Sequence, residues 1–258
     1  MTARTFQSTS EIGIDHDLLP MRLWHKAKKL GTWDPRDIDF EQDRRDWEQL
    51  SDLEHEVLLH LSAQFMGGEE SVALDLLPLI GAIARTGRLE EEMFLTSFLF
   101  EEAKHVEVFR RFFDEVCQDN SDLTRFHGPN YEQIFHTELP TAMNRLNTDS
   151  SPVALARASV TYNMIVEGTL AETGYHAYNK VLVDHDIMPG MQEVTHNLNL
   201  DESRHIAFGV YLLSRLTAEF GDEVWEAIDD QMNRLLPLSL GMIDETLSAY
   251  DELPFGIR

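Results

Sequence analysis

Apolar residues recur along this chain at alternating steps of three and four, the period of an amphipathic helix, and strand-like alternation is scarce. Leu18 to Leu30 reads as a short helix closed by Gly31, followed by a turn at Thr32-Trp33-Asp34-Pro35. Ser51-Asp52-Leu53-Glu54 is a capping box. It opens a long helix whose stripe runs Leu58, Leu61, Phe65, Glu69, Val72, Leu76, Leu79, Ile83. Gly87 marks the next boundary. Arg88 to Val116 then carries Leu95, Leu99, Glu102, Val106, Phe109, Phe113 and Val116 at the same spacing. Residues 118–151 are less regular, with a helical stretch expected near Tyr131 to Leu146. Ser151-Pro152 supplies an N-cap and a proline at the first helical position. The helix it starts runs to about Val183 with Val160, Met164, Glu167, Ala171, Gly174, Tyr178 and Val181 in its stripe. Pro189-Gly190 precedes a helix carrying Leu198, Glu202, His205, Gly209, Leu212 and Leu216. A last helix spans roughly Asp222 to Tyr250, with a bend or an interruption expected at Pro237. The pattern is all-α.

Four of these stripes contain a carboxylate where an apolar residue belongs: Glu69, Glu102, Glu167 and Glu202. A buried, unpaired carboxylate costs several kcal/mol, so each needs a cation, a proton or a hydrogen-bond partner. Two of them stand three residues before a histidine, Glu102 before His105 and Glu202 before His205, which puts both side chains on one helix face. With 25 glutamates and 11 histidines in 258 residues, about one Glu-x-x-His pair arises by chance. Three occur. The third, Glu193 with His196, lies half a turn around the helix from Glu202; Glu193 reads there as a first-turn acid favoured by the helix dipole. The other two are offset by 100 positions, and each follows a helix with one lone seam glutamate. Two single glutamates plus two Glu-x-x-His pairs in a four-helix bundle make a carboxylate-bridged dinuclear metal site. Four carboxylates against two divalent cations are neutral, so such a cluster can sit in a dry core. Carboxylate and imidazole without sulfur suit iron or manganese. Asp201, beside Glu202, is a candidate to orient His105. Gly67 and Gly68, just before Glu69, predict a bulge, a close backbone approach or a helix break.

Composition narrows the alternatives. A net charge of −25 argues against a nucleic-acid surface. Cys117 is the only cysteine, which excludes intrachain disulfides and thiolate metal sites. Met1 to Gln7 lacks the apolar core of a signal peptide, and no apolar run reaches the length of a membrane span. The expectation is a cytoplasmic protein without integral membrane insertion, with residues 1–258 forming one domain.

Three stretches carry a family likeness. Gly67-Gly68-Glu69-Glu70-Ser71-Val72, the run from Leu89 to His105, and Asp201-Glu202-Ser203-Arg204-His205 resemble the ligand-binding oxidases related to the ribonucleotide reductase small subunit. The resemblance implies a ferritin-like four-helix bundle with additional flanking helices, in a homodimer. It further implies manganese held by Glu69, Glu102 and His105 and iron held by Glu167, Glu202 and His205, a di-iron pair being the alternative. In that family a long-chain fatty acid bridges the metals, and dioxygen activation forms an ether cross-link between a valine and a tyrosine, matched here by Val72 and Tyr162. Val72 shares the Glu69 face of its helix. Tyr162 is five residues before Glu167, about 140° away on an ideal α-helix, so a bulge or a neighbouring helix must bring it in.

Other functions of the same ligand set are a radical-generating ribonucleotide reductase small subunit, ferritin-like iron storage, and an acyl or aryl oxygenase or desaturase. The first is disfavoured by Phe109, which stands four residues after His105 where a radical-bearing tyrosine is common, and by the short tail from Leu253 to Arg258.

Overall fold

Ser51 begins the longest helix as its sequence demands. Its hydroxyl accepts from the Glu54 amide at 3.4 Å, and the Glu54 carboxylate accepts from the Ser51 amide at 2.7 Å. This computed structural model describes residues 6–119 and 121–256, and among the described residues there are helices and turns but no strand. The first five residues of the Met1–Gln7 stretch, and Ile257 and Arg258 of the tail, lie outside them.

In chain order the helices are α1 (Leu19–Leu30), α2 (Glu41–Trp47), α3 (Asp52–Arg85) and α4 (Leu89–Phe112), the last winding into a π turn at Phe113–Cys117. Next come α5 (Pro129–Tyr131), a π segment (Glu132–Glu138) and α6 (Leu139–Arg145). One continuous rod follows, made of α7 (Pro152–Ser159), a π segment (Val160–Ala171) and α8 (Glu172–Asp184). The chain finishes with α9 (Pro189–Phe220) and α10 (Asp222–Ser248). The rods α3, α4, α7–α8 and α9 form the central bundle. Helix α1 packs on α4 and α9, α6 on α3, and α10 on α7, α9 and the second π segment.

Along each central rod the buried apolar residues belong to two separate cores. One contains Leu76 and Leu79 of α3, Phe94 and Phe98 of α4, and Phe208 and Leu212 of α9. The other contains Leu58 and Ala63, Val108 and Phe109, and Val194 and Leu198 of the same three helices. The seam acids of those three helices lie between the two sets, at the waist of the bundle.

Several local features depart from the sequence expectation. Helix α2 has a nearly all-polar sequence and gives no apolar stripe to read. It matters all the same, because buried Asp43 accepts from the Gly190 and Met191 amides at 2.9 and 2.7 Å and so caps α9. Helix α10 runs through Pro237 without interruption. Helix α3 is not bulged at Gly67-Gly68; instead Tyr131 approaches so closely that a Cβ at Gly67 would stand 2.6 Å from its hydroxyl. Of the expected bulge, close approach and helix break, the close approach holds.

Candidate metal centre

The waist brings all six predicted residues together. Glu69, Glu102, His105, Glu167, Glu202 and His205 are each at most 5% exposed. His105 Nδ1 faces Glu69 Oε2 at 3.3 Å, Glu102 Oε2 at 3.6 Å and Glu202 Oε1 at 3.5 Å. His205 Nδ1 faces Glu102 Oε1 at 3.2 Å, Glu167 Oε1 at 3.8 Å and Glu202 Oε2 at 3.5 Å. Glu102 and Glu202 therefore each turn one oxygen to either imidazole, while Glu69 and Glu167 stand at opposite ends. The donor atoms form two interlocking sets within 4.8 Å, Glu69-Glu102-His105-Glu202 and Glu102-Glu167-His205, with Glu102 common to both. Glu193 and His196, the third Glu-x-x-His pair, are solvent-exposed, and Glu193 lies beyond the first turn of α9.

A second layer fixes the imidazoles in crossed fashion. His105 Nε2 meets Asp201 Oδ2 at 3.2 Å, where the sequence places a candidate orienting acid, and His205 Nε2 meets Glu101 Oε2 at 2.9 Å. The acid preceding each motif glutamate thus serves the histidine of the other motif. Glu101 was not anticipated, although it sits 100 positions before Asp201 and the internal repeat points to it. Arg204 ties the two acids together, donating to Glu101 Oε1 at 2.7 Å and to Asp201 Oδ1. Lys104 donates to Asp201 Oδ2 at 3.0 Å and to the Gly31 carbonyl at 2.7 Å, and its ammonium lies 4.2 Å over the Trp33 ring. Trp33 Nε1 completes the shell on Asp201 Oδ2 at 2.9 Å. At the far ends Tyr175 donates to Glu69 and Asn163 donates to Glu167 Oε2 at 3.1 Å. Phe98 stacks on the His205 ring with centroids 3.6 Å apart.

The electrostatics call for cations. Burial pushes Glu69 up to about 7 even though His105 relieves part of the cost, and burial together with the Glu202 charge holds Glu167 well above the carboxylate range. Burial opposes charge on both imidazoles, yet the carboxylates facing His105 and His205 raise them well above the usual histidine value. Protons are thus drawn into the cluster when nothing else balances it. Divalent ions would displace them, so loading releases protons. Glu102 Oε2, Glu167 Oε1, Glu202 Oε2 and His205 Nδ1 are buried with no hydrogen-bond partner. His205 Nδ1 lies close to Glu102 Oε1 without hydrogen-bond geometry. Four such orphans converging on one spot would be costly if left unpaired, and they fit metal-ligand atoms.

Tyr162 reaches the cluster through the winding of its own backbone. Residues 160–171 are π-helical, with i→i+5 bonds such as Glu172 N–H to the Glu167 carbonyl. That winding takes more residues per turn than an α-helix, so residues five apart come round toward the same side and Tyr162 and Glu167 both face the cluster. The Tyr162 hydroxyl donates to the Val72 carbonyl at 3.2 Å and lies 3.4 Å from Glu102 Oε1. Val72 and Glu69, Glu102, Glu167 and Glu202 line one cavity, whose empty volume is about 850 Å³ including its open mouth. Its remaining wall is mostly apolar, with Phe65, Phe135, Val166, Leu170 and Ile243 among its members.

Two interlocking carboxylate–histidine sets on four central rods define the class of dinuclear carboxylate proteins. A family model described as ribonucleotide reductase, small chain, matches residues 20–250, and this chain belongs to that family. Solved structures refine the likeness. An R2-like ligand-binding oxidase with the G68F substitution and an anaerobically reconstituted Mn/Fe cofactor is 42% identical, with a TM-score of 0.92 over 96% of this chain and 92% of that one. A V72L variant of an R2-like ligand-binding oxidase, also with anaerobically reconstituted Mn/Fe cofactor, gives 42% identity and 0.92 over 98% and 92%. A Y162F variant with aerobically reconstituted Mn/Fe cofactor gives 42% and 0.91 over 95% and 90%. This chain carries Gly68, Val72 and Tyr162 at the numbers of those substitutions. Among the described residues no helix is long and apolar enough to cross a membrane.

Proposed function

We propose that this chain is a dioxygen-dependent manganese/iron oxidase that takes a long-chain fatty acid at its metal site and joins Val72 to Tyr162 by an ether bond. Glu69, Glu102 and His105 would hold manganese, and Glu167, Glu202 and His205 iron, with Glu102 and Glu202 facing both; a di-iron pair is the alternative loading. The protein would act as a single domain within a cytoplasmic homodimer.

The observation that carries the reading is the contact of the Tyr162 hydroxyl with the Val72 carbonyl and with Glu102, two residues that line the apolar cavity. A ligand with one carboxylate and a long apolar tail matches that cavity once metals are bound: the cations held by the glutamates at the base would take the carboxylate, and the walls beyond are hydrocarbon-compatible. Forming the ether removes the phenolic hydrogen of Tyr162 and the Cβ hydrogen of Val72, two protons and two electrons. When bound, the metal pair would supply two further electrons and the means to reduce dioxygen, and two protons from solvent would complete its conversion to two waters. The chain's own contribution is positional. The π winding presents the Tyr162 hydroxyl to Val72, and burial holds that hydroxyl protonated, far above the ordinary phenol range. The crossed Asp201 and Glu101 bonds set the planes of the imidazoles.

Phe109 favours this reading over a radical-generating reductase subunit. It is buried and stacks on Phe65 with centroids 5.5 Å apart, so no phenol occupies that position. Intact mass after loading with manganese and iron tests the proposal. Wild type exposed to oxygen loses two hydrogens, and Tyr162→Phe does not. An unchanged mass in wild type, or a loss that survives Tyr162→Phe, contradicts it.

A further inference from the structure

The cavity that ends on the cluster is apolar along most of its wall, but a polar pair from two different helices stands partway along it. Gln64 lies on α3 five residues before Glu69, about 7.5 Å along the helix axis. Thr246 lies on α10, and both line the cavity. Gln64 Nε2 donates to Thr246 Oγ1 at 3.1 Å, and the Thr246 hydroxyl is 3.3 Å from Gln64 Oε1. Gln64 is held from behind by His60 Nε2 at 3.1 Å. One turn beyond Thr246, Tyr250 Oη pairs with His60 Nδ1 at 2.9 Å. Polar bonds therefore tie the end of α10 to α3, while its Met242, Ile243 and Leu247 cover the slot between.

Exposure shows which way the slot opens. Glu69, Glu102 and Tyr175 at its base are buried, whereas Thr173, Ala177 and Leu247 at its rim are exposed, Leu247 by 45%. Gln64 and Thr246 are half-buried, between depth and rim. Hydrocarbon side chains here would seal α10 to α3 by packing alone. A half-buried hydrogen-bonded pair can exchange its partner for water and part.

We propose that Gln64 and Thr246 form a clasp governing passage of the apolar ligand, so that exchange of the ligand is limited by the parting of this pair. The inference rests on the fatty-acid reading above and adds to it the residues that retain the ligand and admit its tail. The holoprotein is incubated with perdeuterated palmitic acid, and replacement of the bound unlabelled fatty acid is followed by mass spectrometry of the extracted ligand. Thr246→Val keeps the side-chain volume and removes the hydroxyl. The expected result is about tenfold faster exchange than wild type, the factor that about 1.4 kcal/mol corresponds to. Gln64→Met, which keeps the length of the side chain without its amide, accelerates exchange likewise and stands in should Thr246→Val melt at a lower temperature than wild type. Wild-type or slower exchange in the folded variants overturns the clasp and leaves the fatty-acid reading intact. A wild-type protein that holds no fatty acid and takes up no label overturns both.

Discussion

Exchanging the charge on one orienting acid should weaken metal binding at the opposite motif's histidine. Glu101 is 1% exposed, lies 2.9 Å from His205 Nε2 and accepts from Arg204 at 2.7 Å. In Glu101→Gln the shape survives, but the new amide must present its NH₂ to a guanidinium or to an imidazole N–H, and one of those donors loses its acceptor. Partners of this kind are worth 10- to 100-fold in metal affinity, or about 1.4–2.7 kcal/mol. The loss should fall on the ion beside His205, although Glu101 is the sequence neighbour of Glu102 and on the same helix as His105. Asp201→Asn, acting through the 3.2 Å bond to His105, should weaken the ion beside His105 by a comparable factor. Chelator competition gives the affinities, and anomalous scattering from crystals of each variant gives the occupancy beside each histidine. Loss on the same-motif side, or no change in either variant, refutes the crossed arrangement.

Further outcomes follow from packing and burial. A Cβ at Gly209 would clash with Asn163 Cβ and lie 2.7 Å from its Cγ, so Gly209→Ala must push α9 away from the π segment that carries Glu167. It should cost about 1–3 kcal/mol and lower metal content, and a wild-type melt with full metal would contradict this. Burial holds His60 down at about 4, against 6.5 for an unconstrained imidazole. The unfolded chain therefore takes up a proton that folded His60 refuses, and stability falls as pH drops from about 6.5 to about 4, with no contribution above that window. His60→Gln should fall less steeply than wild type across that range in denaturant melts; parallel curves would remove the assignment.

Periodicity made the site legible because the ligands interrupt it. A glutamate in an apolar stripe is conspicuous, and the 100-residue offset between two Glu-x-x-His pairs ties the halves together. What stayed hidden depends on backbone register. Side-chain pattern does not distinguish i→i+4 from i→i+5 bonding, so α-helical spacing turns Tyr162 away from Glu167 whereas the π winding brings it inward. Helix α2 was hidden for the opposite reason: its role is to cap α9 through Asp43, and that task leaves no apolar stripe. Glu101 is legible through the 100-residue repeat, as the counterpart of Asp201, but the run Glu101-Glu102 alone does not say which of the two acids faces a metal.

Diffraction at the manganese and iron absorption edges, from crystals grown with both metals present, tests the central claim most directly. Two ions per chain are predicted, one beside His105 and Glu69 and one beside His205 and Glu167, with Glu102 and Glu202 reaching toward both. A single ion, or two ions away from these six side chains, would contradict the account.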